Sequence, residues 1–150
     1  MERQEIIKQL KNYFDIRELV CPHTYQKLGE LSWMVIPTAQ LFNIWLLRTK
    51  ILKVPMTINN YHIGGQYSQR GNRCNVCQLV KDQTLKNNPY LSAHIMASAD
   101  DADIKGMTAE QARDKIRKNQ NLLQYPMRIE QSVTWLHFDS YDMGNGKMLN

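Results

Sequence analysis

The chain lacks the features that would place it in a membrane or among disulfide-stapled domains. No run of about 18 apolar residues occurs, so no membrane-spanning helix is expected. The opening MERQEIIKQL is charged from its second residue and lacks the apolar stretch of a secretory signal, which predicts synthesis in the cytoplasm. Three cysteines cannot all pair, and a reducing compartment argues against a disulfide scaffold. Seven glycines and five prolines in 150 residues, with no repeat and no low-complexity tract, exclude fibrous and disordered classes. Only four histidines are present, so each weighs heavily in any reading of chemistry.

A length of 150 residues with 43% hydrophobic and 22% charged content suits one domain over residues 1–150. The net charge of +5 favours encounter with any polyanion, nucleic acid and anionic cell wall alike. The basic residues are scattered, except for Arg113, Lys115, Arg117 and Lys118, which a helix turns largely toward solvent. No nucleic-acid partner and no membrane insertion are therefore expected.

Hydrophobic spacing predicts a short amphipathic helix over 2–13, with Ile6, Ile7, Leu10 and Tyr13 on one face. A turn is expected at Cys21-Pro22-His23. Pro37-Thr38 opens a segment apolar on most sides, with Leu41, Ile44, Trp45, Leu47, Ile51 and Leu52, which predicts a central buried helix ending near Lys53. A short strand is expected in 56–61, broken at Gly64-Gly65 into a polar loop through Gln69-Arg70-Gly71-Asn72-Arg73. Residues 98–104 read as a strand with Asp101 and Asp103 on one face and Asp100 and Ile104 on the other. Thr108 and Gln111 make a capping box for a helix over Ala109, Ala112 and Ile116. Two further strands, 127–130 and 132–139, precede a tail expected to fray after about residue 141. In the second, Val133, Trp135, His137 and Asp139 share a face. The fold class is α+β: a small antiparallel sheet carrying a zinc site, with helices packed around it.

His94 and Asp101 lie seven positions apart, so a loop histidine and a strand carboxylate can converge, and His137 offers a third ligand from a neighbouring strand. Two neutral imidazoles and one carboxylate leave Zn2+ a positive charge and an open position, the arrangement that activates water. Separately, Cys74-Asn75-Val76-Cys77 has zinc-knuckle spacing, and Cys21 and His23 can supply two more ligands for a second, structural zinc. Buried free thiols are the alternative.

Ser92-x-His94 with Asp101, followed by Trp135-x-His137-x-Asp139, resembles the D-Ala-D-Ala metallopeptidase family, which includes L-alanyl-D-glutamate endopeptidases of phage lysins. Its fold group also contains lysostaphin and the hedgehog signalling domain. The resemblance extends to Phe14-x-x-x-Glu18-Leu19, to Leu46-Leu47-Arg48 and to the loop 58–73. It implies that His94, Asp101 and His137 are zinc ligands, that peptidoglycan stem peptides are the substrate, and that the setting is a phage or prophage lysin acting on the cell wall after release. A D-Ala-D-Ala carboxypeptidase of the same fold and a catalytically weak binding module are the alternatives.

Three positions depart from the family pattern. Ala97 stands where a glycine is usual. Thr134 and Trp135 occupy the two places where members carry a catalytic Glu or His. His62 replaces an arginine that grips a substrate carboxylate, a role open to Arg70 or Arg73. Glu130, ending the preceding strand, and Asp139, beside His137, are the candidates for the catalytic base. Ser92 and Trp135 flank the ligands as candidate substrate-binding residues.

Overall fold

The computed structural model describes residues 1–150. In chain order the elements are α1 (Arg3–Leu10), α2 (Ile16–Leu19), α3 (Pro22–Leu28), α4 (Thr38–Leu46), β1 (Met56–Thr57), α5 (Gln78–Leu85), β2 (Ala99–Ile104), α6 (Ala109–Lys118), β3 (Arg128–Ile129) and β4 (Leu136–Asp139). The four strands form one antiparallel sheet in the order β1-β2-β4-β3. Helices surround it, as the α+β reading expects. No helix is long and apolar enough to cross a membrane.

Gln40, Leu41, Phe42, Asn43, Ile44 and Leu46 of α4 are all buried, so this helix has almost no solvent face. It continues through a wider π turn, Leu47–Ile51, and the left-handed Lys53 (φ 61°) stops it where expected. Ile6, Ile7 and Leu10 bury one face of α1, and Gln9 accepts from Trp45 Nε1 at 2.7 Å. On the sheet, Ala102, Leu136 and Phe138 are fully buried in the same core, while Asp101, His137 and Asp139 alternate to the opposite face. Asp100 points to the core side, where Gln40 Nε2 donates to its Oδ2 at 2.7 Å; burial pushes its pKa up to about 7. The capping box forms as expected: Gln111 N–H donates to Thr108 Oγ1, and Thr108 N–H to Gln111 Oε1.

Several expectations are corrected. The helix expected over 2–13 ends at Leu10, and the strand expected in 56–61 is only Met56–Thr57, giving way to a short 3-10 turn, Tyr61–Ile63. Cys21-Pro22-His23 is not a free turn: Cys21 is the N-cap of α3, with Pro22 in its first turn. The strand expected over 132–139 begins only at Leu136. The reason is Arg113, which is buried instead of solvated. Its guanidinium donates to the carbonyls of Glu130 (3.2 Å), Val133 (3.1 Å) and Trp135 (3.2 Å), holding 130–135 as a loop with Ser132 left-handed. The end of the tail returns to the sheet. Met127 N–H donates to Met148 O at 2.8 Å and Ile129 N–H to Asn150 O at 3.0 Å, which pins the last residues along β3.

Candidate metal centres

Register brings the first group together. Asp101 in β2 pairs directly with His137 in β4, so their side chains rise side by side from one face of the sheet. His94 arrives from the turn that feeds β2. In that turn Ser98 N–H donates to Ala93 O and Ala97 N–H to His94 O, and Ala97 closes it at φ 54°. A left-handed φ is what glycine adopts freely, so the alanine is accommodated with strain and without crowding. Ligand atoms of His94, Asp101 and His137 all lie within 4.8 Å of one another. His94 Nε2 is 3.3 Å from Asp101 Oδ2. A tetrahedral zinc with nitrogen and oxygen ligands at about 2.1 Å would set such a pair about 3.4 Å apart.

Each imidazole has its other nitrogen fixed. His94 Nδ1 lies 2.9 Å from Gly71 O, so the Nδ1–H donates to that carbonyl and Nε2 is left facing Asp101 Oδ2 in the cluster. His137 presents Nδ1 to Asp101 Oδ1 at 2.7 Å and Nε2 to Asp139 Oδ2 at 3.3 Å. Asp139 is held in turn by Arg128, whose Nε and Nη2 donate to it at 2.9 and 2.8 Å, and by the Tyr141 N–H at 2.9 Å. Burial raises the Asp101 pKa, but the hydrogen bonds with His137 and His94 more than reverse this and leave it well below the usual carboxylate range. Burial likewise lowers the His137 pKa, and its bonds to Asp101 and Asp139 overcome that and raise it to about 9. Asp139 is also lowered, because its bonds with His137 and Arg128 outweigh burial.

The remaining predicted residues divide. Arg73 is at the cluster but fully engaged, donating to Asp101 Oδ2 at 3.3 Å, to Tyr90 Oη and to Gln69 O. Arg70 stacks on Tyr67 and pairs with Asp103 at 2.7 Å through Nη1, leaving Nε and Nη2 without a protein partner. Ser92 Oγ accepts from His94 N–H at 3.2 Å, so it shapes the ligand turn. Trp135 is half-buried, with its carbonyl on Arg113 and its Nε1 buried without a partner. Glu130 stands one step beyond the Ile129↔Phe138 pair, across from His137, and donates N–H to the His137 carbonyl at 3.3 Å; its side chain is exposed and outside the ligand cluster. Gly71, Arg128 and Tyr90 were not singled out by the sequence reading. A strand is expected over 127–130, but only its register with β4, which sets Arg128 opposite Asp139, points to Arg128.

Cys21, His23, Cys74 and Cys77 form a second cluster that can bind a metal ion, with all ligand atoms within 4.8 Å of one another. Cys74 Sγ and Cys77 Sγ are 3.9 Å apart, and Cys77 Sγ lies 3.8 Å from His23 Nδ1. In a tetrahedral zinc site with sulfur at about 2.3 Å, those edges measure about 3.8 and 3.6 Å. All three cysteines are free. Cys21 and Cys77 are the N-caps of α3 and α5; the dipole favours thiolate at Cys21, whereas Cys77 keeps its proton, its pKa raised by its bond to Cys21 and by burial. The Cys21 thiol is lowered to about 4, chiefly by a hydrogen bond from Cys77. Comparison with protein-family models, curated proteins and solved structures returned no match to this chain.

Proposed function

We propose that the protein is a zinc-dependent peptidase that hydrolyses peptidoglycan stem peptides, in the manner of a phage-type L-alanyl-D-glutamate endopeptidase. One observation carries the reading: His94, Asp101 and His137 converge while Gly71 O and Asp139 fix the outward nitrogen of each imidazole. That orientation suits ligation: the inward nitrogens of His94 and His137 face one carboxylate, Asp101, so a cation can take the place of the protons they share with it. Zn2+ is the ion we assign to both clusters, on the Cys74–Cys77 and Cys77–His23 edges of the one and on the donor set of two imidazoles and a carboxylate of the other.

A zinc ion supplies Lewis acidity toward a peptide carbonyl and toward water. The rest of the chemistry falls to the chain. Asp139 is tied by Arg128, Tyr141 and His137 and held ionised, so it orients His137 and is a poor proton acceptor. Glu130 is the carboxylate we assign as base: it stands across from His137 and its exposed side chain makes no ion pair. It takes the proton of the attacking water and returns it to the departing amine. Arg70, with two guanidinium nitrogens uncommitted, is the residue we assign to the free carboxylates of a stem peptide. Arg73 steadies Asp101.

The exposed position of Glu130 favours one second reading, a wall-binding module with little hydrolysis. Digestion of purified peptidoglycan followed by mass spectrometry separates the readings. New free L-Ala amino groups from the parent and none from His94→Ala are expected. Release of D-Ala alone would indicate a carboxypeptidase, and equal lysis by parent and variant would overturn the peptidase reading.

A further inference from the structure

We propose that the metal held by Cys21, His23, Cys74 and Cys77 is a positioning centre for the histidine-aspartate site, acting through the strip Gly71-Asn72-Arg73. This rests on the proposed zinc occupancy of the two clusters, and it adds that they are energetically coupled.

The strip is bonded to both clusters along its length. At one end it runs directly into Cys74, so Gly71 and Cys74 are three residues apart and at most about 11 Å from each other. In its middle, Asn72 joins the segment that carries Cys21: Asn72 N–H donates to Leu19 O at 2.9 Å, and Cys21 N–H donates to Asn72 O at 3.1 Å. Thr24 Oγ1, itself 3.2 Å from Cys21 Sγ, donates to Asn72 Oδ1 at 2.9 Å. At its other end the strip holds the first site. Gly71 O accepts from His94 Nδ1, and Arg73 N–H donates to the His94 carbonyl at 2.9 Å, as Asn72 Nδ2 does at 3.4 Å. The Arg73 side chain then reaches Asp101.

The strip and its flanks 64–77 contain no regular strand or helix beyond one isolated bridge between Val20 and Asn72. Cys21, Cys74 and Cys77 come from two separate stretches of chain, and the cluster's own apolar support is small, Val80 with the partly buried Tyr90 and Ile95. No disulfide and no large apolar cluster ties the two stretches at the cysteines, so an ion there would add to the Asn72 backbone bonds the tie that holds the Cys74 end to the Cys21 end. Removing it frees the Cys74 end and the Cys21 end of the strip at once. The carbonyl that selects the His94 tautomer then loses its fixed place, and loss of such outer-shell support costs on the order of 10–100-fold in metal affinity.

Because coupling is reciprocal, zinc at the histidine site must tighten the cysteine site by the same factor. Two variants of the full chain test this. His23→Ala removes the exposed ligand and leaves the buried thiols in place; Cys77→Ser removes a buried one. Zn2+ affinity at the histidine site is measured by chelator competition, the cysteine site is followed by the thiolate absorption of bound Co2+, and circular dichroism checks the fold. In folded His23→Ala, Zn2+ should dissociate from the histidine site on the order of tenfold more readily. The amides of Cys21, Asn72 and Arg73 should exchange hydrogen on the order of tenfold faster. The exchange readout requires neither peptidase activity nor metal at the histidine site, so it separates failure of the coupling from failure of the peptidase reading. Unchanged exchange and unchanged affinity in a folded variant that has lost the Co2+ thiolate signal would overturn the proposal, as would a parent chain that shows no such signal.

Discussion

Gly71→Ala tests whether a backbone carbonyl seats the first zinc ligand. A Cβ at this position would lie 2.2 Å from the Leu19 carbonyl oxygen, 2.8 Å from its carbon and 3.2 Å from Asp100 Oδ1. The Leu19 carbonyl cannot retreat freely, because it accepts from Asn72 N–H at 2.9 Å. Restoring an ordinary contact of 3.4 Å from 2.2 Å moves the strip by about 1.2 Å. A bond of 2.9 Å from His94 Nδ1 does not survive a displacement of that size. Overpacking costs about 1–3 kcal/mol and each broken hydrogen bond about 1 kcal/mol, so a loss of about 3 kcal/mol in stability is expected. Zinc affinity at the histidine site should fall about 10–100-fold. Urea denaturation and chelator competition measure the two effects. Gly106→Ala is the control: at φ +73° with nothing within 4 Å, it adds backbone strain alone and should leave zinc affinity unchanged. If Gly71→Ala binds zinc as the parent does, the carbonyl is not what orients His94.

Three further outcomes are expected. Zinc affinity at the histidine site should rise about tenfold per pH unit and level off near pH 9, because below the raised His137 pKa of about 9 the metal must displace a proton; a flat profile from pH 6 to 9 in isothermal titration would refute the pairing of His137 with Asp101 and Asp139. Arg113→Met should lower stability by about 3 kcal/mol in urea, since three carbonyls lose a charged donor, whereas a change under about 1 kcal/mol would show that water replaces it without cost. Ala97→Gly should raise stability by about 0.5–1 kcal/mol in thermal unfolding by relieving a left-handed alanine, and a destabilised variant would contradict that conformation.

Periodicity made much of the frame legible. The buried character of α4, the alternation of Asp100 and Asp101 in β2 and the capping box at Thr108 are local patterns, and local patterns survive folding. Both ligand clusters could be named beforehand because His and Cys are scarce here, the histidine one through the family resemblance and not through its spacing, which is weak. What could not be read depends on distant partners. Arg113 looks like any helix-surface arginine until the loop 130–135 wraps its carbonyls around it. The same wrapping delays β4 to Leu136. The tail looked free because its pairing with β3 is between backbones and leaves no side-chain pattern. Arg128 and Gly71 support the ligands only through register and close approach, which the chain's order does not display.

The adjacency of Asp100 and Asp101 places two carboxylates on opposite faces of one strand, and this bears on how the chain avoids misfolding. A slip of β2 by one residue would carry Asp101 into the place of Asp100, under Gln40, and set Ala102 opposite His137, so the ligand would be lost while its carboxylate still found a partner. Asp103 makes the slip costly. In register it meets Arg70 at the surface, whereas after a slip it would enter the apolar layer beside Leu136 without a cation. The Arg70 pair thus penalises the wrong alignment of a strand whose ligand lies two residues away.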